Sequence, residues 1–447
     1  MTDIDGVRER FAKIMPSVRA DLERLVRIPS VSFKGFEPSN VRRSADLTRE
    51  ILESSGLETQ LLEVEGAHPA VLGRVEAPEG APTVLLYAHH DVQPEGPRNL
   101  WSSEPFEPVE RDGRLYGRGT SDDKAGIVVH AGAIRAWEGR PPVGVTVFVE
   151  GEEESSSEHL EEFVSRYRDL LRSDAVILAD SGNWRTGEPA LTTSLRGIVA
   201  CLVEVRTLDH AVHSGEYGGA IPDALTVLAK TLATLHDERG VVAVPGLASG
   251  PADPLDLTEE ELRAWAGVRP GVELIGEGGL TERMWTRPAI SILGIDAPNT
   301  VEASNQLVPF ARAKVSMRIP PGQDPEQAMD ALVMHLESNV PWGAEVKVER
   351  EATGSPHALH GKGPAYDAME RAMSEAFGKA PVFMGAGGSI PFVAVFADSF
   401  PDATLMLTGA ADPMSNPHSE NESVDLADLE KSALAEALFL GYLAEAS

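Results

Sequence analysis

The sequence predicts an α/β fold that is interrupted by a smaller α+β unit. Over about the first 190 residues, short apolar runs alternate with helical stretches, the pattern of a largely parallel sheet with helices on its faces. Near Leu195 the order changes to strand, helix, strand, helix, strand, and further helices and apolar strands follow from about Gly354. We therefore expect residues 1–194 and 354–447 to form one domain and residues 195–353 to be inserted into it.

The first part of the chain contains three runs of branched and aromatic residues that predict buried strands. These runs are Thr83–Ala88, Val143–Val149 and Ala175–Ala179. Between the first two, Lys124–Trp137 has the apolar spacing of a helix. Residues 1–28 predict a charged amphipathic helix and lack the apolar core of a secretion signal.

The inserted unit and the last part of the chain are predicted from the same periodicities. In the insert we expect strands Gly197–Val205, Ala311–Ile319 and Glu345–Glu351 and helices Ile221–His236 and Pro325–Glu337. Gly246–Gly279 is rich in Pro, Gly, Asp and Glu and is expected to be a loop or insertion. The last part predicts helices Tyr366–Phe377 and Leu426–Ala444 and strands Val393–Phe396 and Thr404–Leu407.

Composition excludes several classes of function. The 447 residues include 39 basic and 70 acidic side chains, which gives a formal net charge of −31. Nucleic acid is excluded as a partner, because it requires a basic surface and no Lys/Arg-rich run is present. No uncharged run reaches the roughly 18 apolar residues of a membrane span, so we expect no membrane association and a cytoplasmic protein. The single cysteine, Cys201, lies in an apolar run and is expected to be a buried, inert thiol.

Polar clusters stand where the predicted strands end. His89-His90-Asp91 follows the first strand, Glu150–Glu154 the second and Asp180 the third, and Ser121–Lys124 opens the predicted helix. Ligands of open α/β sheets bind at the carboxyl ends of the strands. Imidazole and carboxylate groups without cysteine are the donors of a divalent metal site, and a cation would relieve the repulsion between the acids.

Spacing alone leaves simpler explanations open for each cluster. The histidine cluster fits a surface turn, Glu152–Glu154 fits a solvated acidic loop, and Asp122-Asp123 fits a helix N-cap. His89 and Asp91 point the same way on an extended chain, so Asp91 can accept the hydrogen bond of the second ring nitrogen of His89.

Motifs of several other enzyme classes are missing. Gly117-Arg118-Gly119 lacks the third glycine of a dinucleotide-binding turn. The sequence contains no Walker A motif, no H-E-x-x-H and no G-x-S-x-G. A serine hydrolase is therefore disfavoured.

Several segments together resemble metallopeptidase family M20, and within it the dipeptidase branch of cytosolic non-specific dipeptidases and carnosinases. In chain order they are Tyr87–Pro94, Tyr116–Lys124, Glu150–Ser155, His213–Gly219, Gly387–Pro391 and His418–Glu422. They occur in the order of the family and extend from residue 87 to residue 422, so the resemblance covers nearly the whole chain.

The resemblance implies a two-metal, zinc-peptidase-like catalytic domain with an inserted α+β lid domain that also forms a homodimer. By position, His89 and Asp180 would hold one metal ion, Glu154 and His418 the other, and Asp122 would bridge the two. The expected cofactors are two divalent metal ions per subunit. Zinc is the expected metal, and this donor set also accepts manganese or cobalt.

The resemblance also implies the roles of the remaining site residues. Glu153 would be the general base, with Asp91 supporting His89, and His213 would reach the active site of the partner subunit. Substrate binding would fall to Asn305, Arg318 and Ser389. Arg318 suits a carboxylate because its planar guanidinium donates two parallel hydrogen bonds.

The expected function is hydrolysis of unblocked dipeptides by a metal-bridging hydroxide, with Glu153 as base and a small peptide as the binding partner. N-acyl-amino-acid deacylases, such as desuccinylases and deacetylases, and glutamate carboxypeptidases share the metal centre and are the alternatives. The segments His213–Gly219 and Gly387–Pro391 favour the dipeptidase branch. A non-catalytic metal- or peptide-binding protein is the remaining alternative, and the presence of Glu153 argues against it.

Overall fold

A computed structural model of the chain describes residues 3–359, 361–388 and 390–446. The chain divides into two compact units. The first lies within residues 1–193, 359–384 and 391–447, and the second within residues 194–358 and 385–390. Residues 385–388 and 390 thus belong to the same unit as the insert, although residues of the first unit flank them on both sides.

The strands of the described residues are β1 (Glu58–Leu62), β2 (Ala70–Val75), β3 (Thr83–His89), β4 (Val109–Arg111), β5 (Arg114–Tyr116), β6 (Gly144–Glu150), β7 (Ala175–Leu178), β8 (Ala190–Leu195), β9 (Gly197–Arg206), β10 (Val212–His213), β11 (Ala289–Asp296), β12 (Gln306–Leu307), β13 (Phe310–Ile319), β14 (Glu345–Gly354), β15 (His357–Ala358), β16 (Val382–Ala386), β17 (Thr404–Leu407) and β18 (Ser423–Asp425).

The helices of the described residues are α1 (Ile4–Val26), α2 (Pro38–Ser54), α3 (Lys124–Ala136), α4 (Leu160–Arg166), α5 (Arg168–Leu171), α6 (Ser214–Tyr217), α7 (Ala224–Ala233), α8 (Glu259–Trp265), α9 (Pro325–Ser338), α10 (Pro364–Phe377), α11 (Pro391–Ser399) and α12 (Leu426–Ala446). None of them is long and apolar enough to cross a membrane.

The first unit is built on a mixed sheet with the order β1-β2-β6-β3-β7-β17-β8. The central strands β6, β3, β7 and β17 are parallel, whereas the outer pairs are antiparallel. The predicted strands β3, β6, β7 and β17 are confirmed, and β6 is buried along its whole length. Helices α1, α3 and α12 pack against one another beside this sheet. The result is the α/β architecture that the alternating pattern predicts.

The predicted strand Val393–Phe396 is wrong, because this run lies in helix α11. Phe392 and Phe396 are one helical turn apart, and their rings stack with centroids 4.1 Å apart. The ring centroid of Phe392 also lies 3.8 Å from that of Tyr87 on β3. A run of four apolar residues fits a strand and a buried helix equally well. Packing of the aromatic rings, which periodicity does not encode, favours the helix.

The second unit contains an antiparallel sheet with the order β11-β13-β9-β14. The odd-numbered residues of β9 and β13 face helices α7 and α9 and form the core with them. Cys201 on β9 is fully buried in this core, and burial raises the pKa of its thiol to about 11. This confirms the prediction of an inert thiol.

The second unit differs from prediction at the start of helix α7 and in the segment Gly246–Gly279. Helix α7 begins at Ala224 rather than Ile221, because the Asp223 side chain caps it by accepting a 3.0 Å hydrogen bond from Thr226 N. The segment Gly246–Gly279 is not only a loop, since it contains α8. A capping box between Thr258 and Glu261 starts this helix.

The aromatic packing of α11 leads to a stability prediction. Phe392→Ala should lower the free energy of unfolding of the first unit by about 3–5 kcal/mol, because it leaves a cavity beside Tyr87 and Phe396. Urea unfolding followed by circular dichroism measures this change. The control is Phe383→Ala, whose side chain is 36% exposed and which should change stability by about 0.5 kcal/mol or less. Equal losses in both variants would contradict the packing argument.

Candidate metal centre

The candidate site lies at the carboxyl ends of three neighbouring parallel strands. β3 ends with His89, β6 ends shortly before Glu153 and Glu154, and β7 ends two residues before Asp180. Parallel strands end at the same edge of a sheet, so these side chains come together there. Asp122, two residues before the first residue of α3, joins them through a contact with His89.

His89 is fully buried and contacts acids through both ring nitrogens. Its Nε2 atom lies 3.1 Å from Asp122 Oδ1 and 4.0 Å from Asp180 Oδ1. Its Nδ1 atom lies 3.3 Å from Asp91 Oδ1 and 3.2 Å from the Asp91 carbonyl oxygen. This is the arrangement of a metal-binding histidine, in which one nitrogen faces the metal position and the other is held by a carboxylate.

Asp91 also holds the turn that carries Glu153 and Glu154. Its carboxylate accepts hydrogen bonds from Ser32 Oγ at 2.7 Å, from Glu154 N at 3.1 Å and from Glu153 N at 3.2 Å. Burial opposes its charge, but the hydrogen bond and the charge of His89 outweigh burial, so the pKa of Asp91 lies below its usual value. Asp91 therefore stays ionised and orients two parts of the site at once.

Asp122 lies between two imidazoles. Its Oδ1 atom contacts His89, and its Oδ2 atom lies 2.9 Å from Nε2 of His418. The same Nε2 atom is 3.2 Å from Oε2 of Glu154. Hydrogen bonds with Asp122 and Glu154 raise the pKa of His418 to about 11. A carboxylate with one oxygen toward each of two imidazoles is placed to bridge two cations.

The donor set fits divalent cations. One ligand atom each of His89, Asp122 and Glu154 lie within 4.8 Å of one another, and the same holds for His89, Glu153 and Asp180. Burial and the surrounding negative charges raise the pKa values of Glu153 and Asp180 well above the usual range. A cation relieves this repulsion, and nitrogen and oxygen donors without sulfur suit metals of hard to borderline character.

Glu152 is the acid of this turn that does not face the cluster. Its carboxylate accepts hydrogen bonds from His68 N at 3.1 Å and from His159 N at 2.9 Å, and it lies 2.8 Å from Nδ1 of His159. Glu152 is thus engaged in fixing the surrounding loops. Glu153 and Glu154 are the acids of the turn that remain available to the cluster.

The other predicted site residues lie in the second unit, apart from Ser389, which is outside the described residues. His213 on β10 is exposed, and its Nδ1 atom accepts a 3.0 Å hydrogen bond from Gly215 N. His213 pairs in register with Gln306, which follows Asn305 in the chain. The carbonyl oxygen of Asn305 accepts a hydrogen bond from Ser214 N. The structure therefore brings His213 and Asn305 together. Arg318 lies on β13, and burial lowers the pKa of its guanidinium.

A family model described as peptidase family M20/M25/M40 matches residues 85–441 of this chain. The chain belongs to this family. The dipeptidase branch that the motifs predict agrees with its relatives, among them a cysteinylglycine-S-conjugate dipeptidase of Corynebacterium striatum. That protein is 34% identical over 434 residues, which cover 94% of this chain and 95% of the relative. A β-Ala-His dipeptidase of Rattus norvegicus is 30% identical over 80% of this chain and 76% of the relative.

Solved structures of the M20 fold are also similar to this chain. The dipeptidase Dug1p of Saccharomyces cerevisiae matches with a TM-score of 0.87 and 24% identity, covering 100% of this chain and 99% of that chain. Human carnosine dipeptidase 1 matches with a TM-score of 0.85 and 24% identity, covering 99% of both chains. At this identity the likeness shows the fold, and it confirms the predicted α/β architecture.

In this M20 chain a buried carboxylate for which the sequence alone predicts no role connects two parts of the candidate metal centre. Glu422 is fully buried and accepts hydrogen bonds from Arg118 Nη1 (2.8 Å), Gly119 N (2.9 Å), Ser121 N (2.9 Å), Ser121 Oγ (3.1 Å) and Asp122 N (3.1 Å). Glu422 follows His418 closely in the chain and thereby ties the His418 loop to the backbone of Asp122. Glu422 is the last residue of the segment His418–Glu422, but the sequence does not distinguish a buried acid from a surface acid.

The start of the His418 loop is fixed by a second arginine–carboxylate pair. Arg114 donates two hydrogen bonds to the Asp412 carboxylate, at 2.7 and 3.0 Å, and its Nε donates to Ser423 Oγ at 2.9 Å. Thr186 Oγ1 donates to Asp412 at 2.8 Å. Bidentate pairs of this kind fix geometry as well as contributing energy. The loop that carries His418 is therefore anchored on both sides.

The hydrogen bonds of Glu422 lead to a prediction about metal affinity. Glu422→Gln should weaken Zn²⁺ binding roughly 10- to 100-fold. One carboxylate oxygen becomes an NH₂ group, which donates and therefore does not accept the hydrogen bonds of the backbone N–H groups that position Asp122. Competition with a chromophoric chelator measures the affinity, and thermal unfolding checks the fold. The matched control is Glu420→Gln in the same loop, which lies outside this network. Unchanged affinity in a folded Glu422→Gln protein would contradict the positioning role.

Proposed function

We propose that this chain is a metal-dependent dipeptidase that hydrolyses the peptide bond of unblocked dipeptides. The observation that carries the proposal is the placement of Glu153, a partly buried carboxylate of raised pKa, in a cluster that fits two divalent cations. The relative from Corynebacterium striatum, named as a dipeptidase and similar over nearly the full length of both chains, supports the substrate class. The cytoplasmic location expected from the sequence stays a prediction.

The metal roles that we propose follow the contacts of the cluster. His89 and Asp180 would hold one divalent cation, Glu154 and His418 would hold the other, and Asp122 would serve both. Zinc is the proposed metal, because mixed imidazole and carboxylate donors suit it. Asp91 holds His89 in the orientation that this assignment requires.

Glu153 carries the proton transfers of the proposed reaction. When bound, divalent cations supply Lewis acidity to the scissile carbonyl and to the attacking water. Glu153 accepts the proton of that water and then delivers it to the leaving amine. Burial, with the negative charge of Asp180 second, raises the pKa of Glu153, which makes its carboxylate a stronger base.

The second unit supplies the substrate contacts that we propose. Arg318, Asn305 and Ser389 bind the substrate, with the guanidinium of Arg318 directed at its carboxylate. His213 acts in the active site of the partner subunit. The exposure of His213 supports this role, because its side chain is available to a second chain.

A homodimer is part of the proposal, and the edge of the second sheet supports it. β11 is the outer strand of the order β11-β13-β9-β14, so one side of its backbone lacks a strand partner in this sheet. Ile292, Leu293 and Ile295 on this strand are 39%, 60% and 52% exposed. An apolar edge strand of this kind is a template for pairing with a second copy.

A substrate panel tests the function. It contains free dipeptides, N-acetyl and N-succinyl amino acids and a folyl-type glutamate conjugate, assayed with zinc, manganese or cobalt and with a chelator control. We expect metal-dependent cleavage of the free dipeptides alone. Cleavage of the acylated compounds alone would overturn the dipeptidase proposal in favour of a deacylase, and no turnover by metal-loaded protein would overturn the enzymatic role.

The role of Glu153 gives a prediction of its own. Glu153→Gln should lower kcat for dipeptides roughly 10²- to 10⁴-fold, because the amide does not accept the proton of the water. The metal content, measured by elemental analysis, should stay the same. The control is Glu158→Gln, an exposed acid of the same loop. Near-normal turnover in the Glu153 variant refutes the assignment of the base.

The edge strand gives a prediction about assembly. The double variant Leu293→Asp, Ile295→Asp should convert a dimer into a monomer, because it places charges opposite each other on the paired edges. Light scattering coupled to gel filtration measures the molar mass. Leu100→Asp in the first unit, 54% exposed, is the control and should stay dimeric. A dimeric double variant, or a monomeric unaltered protein, would be incompatible with pairing through β11.

A further inference from the structure

A cavity of about 250 Å³ lies within the second unit. It is lined by residues that precede α8 and by residues around the start of β11. All of them lie between positions 236 and 290, and none is a predicted metal ligand or a predicted substrate contact. Ligand sites in proteins are concave and mostly apolar, with a few polar groups at fixed positions. This cavity has the same character.

Most of the cavity wall is apolar. Its larger apolar residues are Val241, Val242, Val244, Leu247, Ile275 and Ile290. Val244 and Ile290 are buried and belong to the core of the second unit, so this wall is part of the packed fold. Ile275 is 65% exposed, which leaves the cavity open to solvent on its side. Water finds few hydrogen-bond partners on such a wall, so an apolar group that displaces it gains free energy.

Hydrogen bonds hold the cavity walls in fixed positions. Gly276 N donates to the carbonyl oxygen of Arg239 at 2.9 Å, which joins two lining segments that are distant in sequence. Gly250 N donates to the carbonyl oxygen of Thr286 at 3.1 Å, and Thr286 Oγ1 donates back to the Gly250 carbonyl oxygen at 2.7 Å. The cavity therefore exists before a ligand binds, and a preformed site loses less entropy on binding.

Arg283 gives the cavity a positive charge. Its Nε atom donates to the carbonyl oxygen of Gly278 at 2.9 Å, and its Nη1 atom donates to the carbonyl oxygen of Ile275 at 3.1 Å. Two neutral acceptors thus fix the plane of the guanidinium. Within the described residues Arg283 forms no ion pair, and its Nη2 atom has no acceptor. A fixed guanidinium with a free NH₂ group is well placed to bind an anion.

Two acids beside the cavity are already paired with other arginines. Oε2 of Glu277 lies 2.7 Å from Nη1 of Arg239, and Oε2 of Glu282 lies 3.2 Å from Nη2 of Arg287. These pairs leave the charge of Arg283 without a counter-charge. Arg287 also lines the cavity, and its buried Nε atom has no hydrogen-bond partner among the described residues. A single negative charge on a ligand would balance this set of charges.

We propose that this cavity binds a small carboxylic acid with a branched apolar chain. The carboxylate pairs with Arg283, and the chain packs against the apolar wall around Val242 and Leu247. A carboxylate carries the one negative charge that Arg283 lacks, and the small volume limits the ligand to a short chain. A free branched amino acid and an acid without an ammonium group share this chemistry. The inference does not depend on the proposed function, because the cavity and the metal centre have no residue in common.

Calorimetric titration of the metal-loaded protein with 4-methylpentanoate tests the inference. Arg283→Met should raise Kd roughly 10- to 100-fold, because a charge-assisted hydrogen bond is lost, and Arg283→Lys should give an intermediate value. The neutral 4-methylpentanamide should bind the unaltered protein at least about tenfold more weakly. Acetate should also bind at least about tenfold more weakly, because it lacks the apolar chain. The matched control is Arg269→Met, an exposed arginine outside the lining, which should leave Kd unchanged.

The metal centre is a competing place for a carboxylate, so each titration is repeated after chelation of the metal. Binding of one molecule per chain should persist. No binding to the unaltered protein, an unchanged Kd in Arg283→Met, or loss of binding on chelation would overturn the inference. Thermal unfolding checks each variant. If Arg283→Met does not fold, Ala248→Phe serves, because it adds a ring at an exposed lining position and should abolish binding.

Titration with leucine distinguishes the two sources of the ligand. A Kd similar to that of 4-methylpentanoate identifies a free amino acid as an occupant of the cavity. Binding of 4-methylpentanoate without leucine restricts the cavity to acids that lack an ammonium group. Both results support the inference, provided that Arg283→Met weakens the binding.

Discussion

Crowding of carboxylates around Asp122 is the constraint on which this structure depends. Parallel strands bring Glu153, Glu154 and Asp180 to one edge of the sheet, where burial and mutual repulsion raise the pKa values of all three. Two imidazoles, of His89 and His418, offset part of this charge by contacting Asp122 from both sides. Such a cluster is costly without a cation and favourable with one, because a cation removes the repulsion that burial intensifies.

Carboxylates outside the cluster hold its parts in place. Asp91 joins His89 to the turn of Glu153 and Glu154, and Glu422 joins the His418 loop to the backbone of Asp122. The Arg118–Glu422 pair, with Nη1 and Oε2 2.8 Å apart, is almost completely buried. Hydrogen bonds of this surrounding layer fix ligand orientation, and their loss affects metal binding although they do not touch the metal.

The sequence predicts the central strands and the candidate ligands better than the residues that support them. Long apolar runs and strand-end histidines and acids are local signals, so β3, β6 and β7 and the cluster at their ends could be predicted. The helical state of Phe392–Phe396 depends on stacking with Tyr87, and the burial of Glu422 depends on loops distant in sequence. These contacts are tertiary, and no local pattern encodes them.

The cluster around Asp122 is negative and fits divalent cations. The central claim, a two-cation centre that is required for hydrolysis, is tested most directly by titrating metal-free protein with Zn²⁺ while following dipeptide hydrolysis. The account predicts saturation at two equivalents per chain, with activity rising as the metal binds. Saturation at one equivalent, or hydrolysis by the metal-free protein, would contradict it.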